Sequence, residues 1–195
     1  MTTDTTTQQT GQTVKSGIMT RYRHLVRTVE ATGDDWLIGF AARLGFAALL
    51  LPYYFNSALT KFDSGFLGLF PPSAGAFAQI LPSIAEQYSY DVAAIPFFPW
   101  HLVVIAGSLT EILLPLLIVA GLFSRLSALG MIGFVIVQTI VDVVFHGVGP
   151  GVLFNGLPTE LIDQRLLWVF LLLIIATKGA GRLSLDHILA RQINL

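Results

Sequence analysis

Two long apolar runs constrain this chain more than any other feature of its sequence. Leu102–Phe123 contains one charged residue, Glu111, and Leu126–Phe145 contains one charged residue, Asp142. A helix of about 20 apolar residues spans the hydrocarbon core of a bilayer, so each run predicts a transmembrane helix. Only 12% of all residues are charged, about half the fraction that soluble domains carry. The sequence therefore excludes a soluble globular protein.

The charge balance and the lack of cysteine exclude several function classes. The formal net charge is −1 and no basic groove is visible, so nucleic acid is excluded as a partner. The sequence has no cysteine. Disulfides, thiolate nucleophiles, Cys-ligated zinc and iron–sulfur clusters are therefore excluded as well. These exclusions leave the activity itself open.

The hydropathy pattern predicts an all-α integral membrane protein, a four-helix bundle within residues 34–178. The predicted transmembrane helices cover about residues 36–60, 102–123, 126–145 and 161–177. The fourth is the shortest, because its uncharged part is only the 11 residues Leu166–Ala176. We include it because Lys178 and Arg182 follow it directly, as basic residues follow a span on the cytoplasmic side.

The segments outside the spans have their own compositions. Residues 1–17 are polar and rich in threonine, which predicts a disordered cytoplasmic tail. Residues 18–33 have apolar positions at helical spacing and predict an amphipathic interfacial segment. Residues 179–195 predict a cytoplasmic amphipathic tail whose helix Ser184 caps. Residues 62–100, between the first two spans, are rich in aromatic residues and prolines. They predict either an outer segment folded onto the helix ends or a hydrophobic spacer.

The distribution of lysine and arginine predicts that both termini lie in the cytoplasm. Cytoplasmic loops carry the excess of basic residues in membrane proteins. With the termini inside, the outer side has only Lys61, with Arg165 near its boundary. The inner side then collects eight basic residues: Lys15, Arg21, Arg23, Arg27, Arg125, Lys178, Arg182 and Arg191. The prediction is a multi-pass protein of the cytoplasmic membrane.

Polar residues within the spans mark candidate sites, because burying them in hydrocarbon is costly. A rise of 1.5 Å per residue puts Glu111 about 15 Å below the outer surface, near the midplane, and Gln138 about 12 Å below it. Asp142 lies about 6 Å below that surface. Gln138, Asp142 and His146 recur at i, i+4 and i+8, so they form one polar stripe on a helix.

Two functions are open for this polar stripe. It predicts either a hydrated path to Glu111 or a pocket for the polar head of a quinone; the alternative is helix packing alone. Glu111 is the best candidate for a catalytic residue, able to pass a proton or donate to a carbonyl. We expect Gln138 as its neighbour and no cation within its reach.

The remaining charges have simpler interpretations. Arg165 lies about 7 Å below the outer surface, level with Asp142, so the two predict a structural ion pair beside the path. Arg43 is expected to extend its side chain to the inner interface. Lys61 is expected to anchor the first helix at the outer boundary.

His101 and His146 fall at the same outer level of adjacent helices. Two facing imidazoles could ligate a haem. Both residues lie at helix ends, however, so we expect ordinary interfacial histidines and no haem. No metal site is predicted, because no pair of ligands has a characteristic spacing. A covalently bound cofactor is not expected either.

Three stretches of the sequence together carry a family resemblance. The first is FAARLGFAALLLPYYFNSALTKF, with Arg43 near its start and Lys61 near its end. The second is GSLTEILLPLLIVAGLFSRLSALGMIGFVIVQ, with Glu111 in mid-helix and a Gly-Leu-x-x-Arg motif ending at Arg125. The third is KGAGRLSLD, after the fourth span. In this order and spacing they resemble the DoxX family of small four-helix bacterial membrane proteins over about residues 36–187.

The resemblance implies a membrane subunit or accessory factor of a redox system in the bacterial inner membrane, linked to quinone or to thiols and sulfur compounds. Since the chain has no cysteine, a partner protein or a bound quinone would carry the redox step. Whether the chain is an enzyme is open; if so, it is a quinone-linked oxidoreductase subunit. The expected partners are the bilayer and either another protein or a second copy. The alternatives are a small-solute or proton transporter and a non-catalytic assembly scaffold.

Overall fold

The computed structural model describes residues 20, 21, 23, 35–61, 72–151 and 161–193. All regular structure in these residues is helical, and none of them forms a strand. The predicted tail 1–17 lies outside the described residues. Of the predicted interfacial segment 18–33, only Thr20, Arg21 and Arg23 are described, and they are helical and exposed. The first part of the aromatic segment, residues 62–71, is also outside them.

Seven α-helices follow one another along the described residues. They are α1 (Asp35–Leu59), α2 (Ala74–Ile80), α3 (Pro82–Gln87), α4 (Leu102–Ala120), α5 (Ser124–Val144), α6 (Leu161–Lys178) and α7 (Leu185–Ile193). A short 3₁₀ turn, Val92–Ala94, and a π-helical turn, Phe97–His101, lead into α4. The predicted spans coincide with α1, α4, α5 and α6 to within three residues at each end.

Three helical segments are long and apolar enough to cross a membrane: Trp36–Leu59, Phe97–Ala120 and Ser124–Val144. Large apolar side chains on them point outward, for example Leu49, which is 71% exposed. Such exposure is typical of a surface that faces lipid tails. These features indicate a membrane protein. The 18-residue helix α6 is not in this group, since Asp163, Arg165 and Lys178 interrupt its apolar sequence.

The four long helices pack in a ring around one apolar core. Helix α1 packs against α4 and α6, and α5 packs against the same two helices from the other side. On α1 the core residues Phe46, Leu50 and Tyr54 recur at a spacing of four, which puts them on one helix face. The other helices contribute Ile118, Ala128, Met131, Val135, Leu172 and Ile175.

The turn between α4 and α5 is held by the start of the C-terminal segment; we call this end of the bundle the hairpin end. Gly121 ends α4 with φ of 71°, a left-handed conformation that other residues rarely adopt. Asp186 then accepts hydrogen bonds from Phe123 N (2.7 Å), Ser124 N (2.9 Å) and Ser124 Oγ (2.6 Å). These contacts explain why α4 ends before residue 123 and α5 begins before residue 126.

The C-terminal segment continues from this turn as α7. Ser184 Oγ accepts a hydrogen bond from His187 N at 3.2 Å, which is the capping contact expected from the sequence. Arg43 of α1 donates to the carbonyl of Leu183. The hairpin end is therefore closed by contacts of the C-terminal segment 183–186 with α1 and α5.

The opposite end of the bundle carries residues 72–101, which we call the lid. Its own small core contains Phe77, Ala85 and Ile95, packed on Val104 of α4. Ser73 caps α2 by accepting from Ala76 N at 3.0 Å and donates to the carbonyl of Lys61 at 2.8 Å. The lid is thereby attached both to the end of α1 and to the start of α4.

Replacing Asp186 tests how much the hairpin end depends on its carboxylate. We expect Asp186→Ala to lower the free energy of unfolding by about 2 kcal/mol, because two backbone N–H groups lose their acceptor. Thermal unfolding of the detergent-purified protein measures the loss. Asp91→Ala is the matched control, since Asp91 accepts from Ala93 N in an exposed turn. Equal losses in both variants would contradict a special role for Asp186.

Candidate functional site

The polar stripe of α5 lines a cavity of about 430 Å³ near the lid. Gln138, Asp142 and His146 lie on its wall, with Glu111 from α4 and Lys61 from the end of α1. The remaining lining is mostly apolar or small: Tyr53, Ser57, Gln79, Ile80, Val103, Gly107, Thr110, Gly130, Gly133, Phe134, Val137 and Val141. A cavity of this size, with apolar walls and a few polar groups, is typical of a small-molecule site.

Glu111 has a cation beside it, so the prediction that none lies within reach is wrong. Lys61 Nζ lies 2.6 Å from Glu111 Oε2, and the two residues are only 4% and 2% exposed. Lys61 therefore does not anchor the helix at the boundary. The reason is the direction of its side chain: Cα–Cβ bonds tilt toward the N-terminus of a helix, which here directs the lysine into the bundle.

The ammonium group of Lys61 has three acceptors around it. Besides Glu111, it donates to Ser57 Oγ at 3.1 Å and to the Ser57 carbonyl at 3.3 Å. Its contact with Glu111 Oε2 is an ion pair without hydrogen-bond geometry. The ion pair is thus held in one place at the cavity wall.

Gln138 was expected to be the neighbour of Glu111. Both residues line the cavity, but no hydrogen bond joins them within the described residues. Its side-chain Nε2 instead donates to the hydroxyl of Tyr53 at 3.1 Å. Its Oε1 is buried and has no hydrogen-bond donor within the described residues. The level of a residue along a helix is readable from sequence, but the rotation of the helix that selects its partner is not. Within the described residues, the lining thus includes two buried oxygens that accept no hydrogen bond, Gln138 Oε1 and Glu111 Oε2.

Asp142 and Arg165 lie together, as their equal depth predicted. Arg165 Nη2 donates to Asp142 Oδ2 at 3.0 Å. The guanidinium also covers the ring of Trp168, 4.5 Å from its centroid. Asp142 lines the cavity, whereas Arg165 is buried behind it and is not a lining residue. Arg165 therefore holds Asp142 in place and joins α5 to α6.

The two histidines lie in different surroundings. His146 is exposed and lines the cavity, with Nε2 3.3 Å from the carbonyl of Gln79 in the lid. His101 is buried, with Nε2 3.2 Å from the Ile95 carbonyl and its ring against Phe77. His101 is not among the residues that line the cavity, so the two imidazoles do not face one haem. No group of three or more His, Asp or Glu within the described residues could hold a metal ion.

The charges of the family-like motifs divide between the two ends of the bundle. Arg43 is buried at the hairpin end, with its guanidinium 5.4 Å from the ring centroid of Phe40 and near Asp186. Arg125 is exposed beside Gly179 at the same end. Lys61 and Glu111 line the cavity at the lid end. Only the second pair therefore belongs to the candidate site.

Several lining residues were not singled out from the sequence. Tyr53 and Ser57 of α1 precede Lys61, which the sequence did single out, by eight and four residues, and this is the spacing of the polar stripe on α5. This spacing was the signal that could have found them. Gln79 of the lid had no such signal, because its helix is only 7 residues long.

The chain was compared with protein-family models, with curated proteins and with solved structures, and no match was found. The resemblance to the DoxX family therefore depends on the three sequence stretches alone. The function is inferred from the cavity and the residues that line it.

Neutralising one member of the Lys61–Glu111 pair tests its energetic role. We expect Glu111→Gln or Lys61→Met alone to cost about 3 to 5 kcal/mol, because each leaves the other charge buried without its partner. The double variant should recover most of this loss, since no uncompensated charge remains. Unfolding in detergent provides the comparison. Arg125→Gln, at an exposed cation, is the control and should change stability by less than about 0.5 kcal/mol. A double variant no more stable than the worse single variant would contradict the coupling.

Proposed function

We propose that this chain is a DoxX-like protein of the bacterial cytoplasmic membrane that binds the head group of a quinone and serves as the membrane subunit of an oxidoreductase. The observation that supports this proposal is the cavity that joins the Lys61–Glu111 pair to Gln138 and Tyr53. Buried polar groups in a membrane bundle favour a functional site. In this proposal the electrons come from a partner protein, because cysteine is absent from the chain.

The polar groups of the cavity match both forms of a quinone. The Tyr53 hydroxyl accepts from Gln138, which leaves its own hydrogen to donate to a quinone carbonyl. The buried Gln138 Oε1 can accept from the hydroxyl of the reduced form. Tyr53 and Phe134 supply aromatic surface for a flat ring. The residues present therefore fit a quinone head group.

The charged residues supply protons and hold the site in shape. A quinone takes up two electrons and two protons when it becomes a quinol. The Lys61–Glu111 ion pair places a proton-carrying ammonium group and a carboxylate together at the cavity wall. Asp142 and exposed His146 line the same cavity toward the lid, so they can relay a proton from outside. In this proposal Glu111 therefore acts as one member of an ion pair, and not as the isolated acid that the sequence predicted.

We also propose that α6 crosses the membrane as the fourth helix, with both termini in the cytoplasm. Its burial against α1 and α5, through Leu172 and Ile175 of the common core, supports this arrangement. Its ion pair from Arg165 to Asp142 removes the main obstacle, an unpaired charge in the apolar layer.

The absence of native cysteine allows this topology to be tested with single introduced cysteines. We expect Gln87→Cys, in the exposed lid, to react with a membrane-impermeant maleimide in intact cells. Arg125→Cys and Gln192→Cys should react only after the membrane is permeabilised, since both are placed on the cytoplasmic side. The cysteine-free chain is the control for background labelling. Labelling of Gln192→Cys in intact cells would remove α6 from the set of spans.

Purification in mild detergent tests the quinone directly. We expect lipid extracts of the pure protein to contain quinone, measured by chromatography and absorbance. Tyr53→Phe and Gln138→Leu should each weaken binding about fivefold, because each removes one neutral hydrogen bond of about 1 kcal/mol. Tyr88→Phe, in the lid and away from the cavity lining, should leave binding unchanged.

The same experiment separates the competing functions. A co-purifying protein without quinone, and no binding of added quinone, would contradict the proposal in favour of the scaffold. If the purified protein retains neither quinone nor a partner protein, and instead moves a solute or protons across vesicle membranes, the transporter is favoured. Unchanged quinone binding in both cavity variants would place the quinone elsewhere on the protein.

A further inference from the structure

We infer that the ligand of the cavity is a lipid, whose apolar tail leaves the site between α4 and α5 into the bilayer. The inference rests on the proposed function, since it takes the cavity as the site of a quinone head group. It adds the class of quinone, which is one with a long apolar tail, and its route of entry.

Three glycines line the cavity, and one of them, Gly133, borders open space. Gly107 of α4 and Gly130 and Gly133 of α5 all line it. A Cβ atom added at Gly133 would have no atom within 4 Å, so this glycine borders open space. A Cβ at Gly130 would touch only the side-chain methyls of Leu114, at 3.4 and 3.5 Å. Glycines that serve close helix packing lie against a neighbouring backbone. Gly130 packs against the side chain of Leu114, whereas Gly133 packs against nothing, so the gap beside Gly133 is better explained by access.

The residues around this gap face the lipid region. Val103 of α4 and Val137 of α5 line the cavity and are also 42% and 59% exposed. Both lie in helical segments long and apolar enough to cross a membrane. A side chain that is exposed on such a segment faces lipid, apart from its ends. The cavity therefore continues from buried polar groups to an apolar surface that contacts the bilayer.

The lid covers the other approach to the cavity. Ile80 packs over Gly107, where an added Cβ would lie 3.2 Å from Ile80 Cδ1. Gln79 donates to Thr60 Oγ1 at 3.1 Å, and its carbonyl lies 3.3 Å from His146 Nε2. Within the described residues, the end of the cavity toward the aqueous side is thus crossed by hydrogen-bonded segments. On the side between α4 and α5, no described atom lies within 4 Å of a Cβ added at Gly133, so no segment covers the cavity there.

The polarity of the cavity sets the orientation of the ligand. Glu111, Lys61 and the buried Gln138 Oε1 form its polar wall, and Val103, Val137 and Gly133 form its lipid side. A molecule with a polar head and an apolar tail satisfies both walls at once. A fully water-soluble ligand would leave the apolar gap unfilled. This geometry points to a tailed quinone taken from the membrane.

Blocking the gap tests the inference in the full-length protein. Two probes with the same head group are compared in nanodiscs: decylubiquinone and its tail-less parent, 2,3-dimethoxy-5-methylbenzoquinone. We expect Gly133→Phe to weaken decylubiquinone binding at least tenfold and to change binding of the tail-less probe less than twofold. The open space at Gly133 makes the substitution sterically permissible. Ile136→Phe is the control on the same helix, because Ile136 is 51% exposed and does not line the cavity.

The outcomes distinguish failure of the inference from failure of the proposed function. Unchanged decylubiquinone binding in Gly133→Phe, or equal loss of both probes, would overturn the entry route. Absence of binding of both probes to the wild-type protein would overturn the proposed function itself. If Gly133→Phe lowers the unfolding temperature, Val137→Trp takes its place at the neighbouring lipid-facing position. The same tenfold loss for the tailed probe alone is then expected.

Discussion

The ion pair between Lys61 and Glu111 joins α1 to α4 at the wall of the cavity, beside the apolar core of the bundle. Removing two charges from water costs several kcal/mol per ion, and their attraction only partly offsets this cost. Two well-packed apolar residues at these positions would stabilise the bundle equally well or better. The pair is therefore a poor device for stability alone, and its position on a cavity wall agrees with a role in binding.

The two ends of the bundle differ in which polar groups form hydrogen bonds. At the hairpin end, Asp186 satisfies backbone N–H groups that the turn leaves without partners, and Arg43 binds a neighbouring carbonyl. These contacts fix how α1, α5 and α7 meet. At the lid end, polar side chains bind one another around empty space, and Gln138 Oε1 lacks a donor within the described residues.

The helices were largely predictable from sequence, because bilayer thickness limits how long an apolar run must be. The polar stripe on α5 was predictable as well, since a spacing of four residues keeps Gln138, Asp142 and His146 on one face. Counting residues also placed Asp142 level with Arg165. These features depend on one helix at a time, or on depth alone.

The contacts that depend on two helices were predicted less well. The depth of Glu111, counted from His101, put it far from Lys61, because the count ignored the reach and direction of a lysine side chain. The partner of Gln138 depends on how α5 and α1 are rotated about their axes, and no periodicity in either helix gives that rotation. The lid is built from helices of 6 and 7 residues, too short for a periodic pattern to be recognised.

Helix α5 shows how one sequence meets two requirements at once. Gly133 and Val137 border the apolar gap, while Gln138, Asp142 and His146 line the cavity with polar groups. Neighbouring residues 137 and 138 thus belong to different walls, as expected for positions about 100° apart around a helix. A helix meant only to pack in lipid needs neither face. Helix α5 combines open space beside Gly133 with a buried amide oxygen, Gln138 Oε1, that has no donor within the described residues, and packing alone explains neither feature.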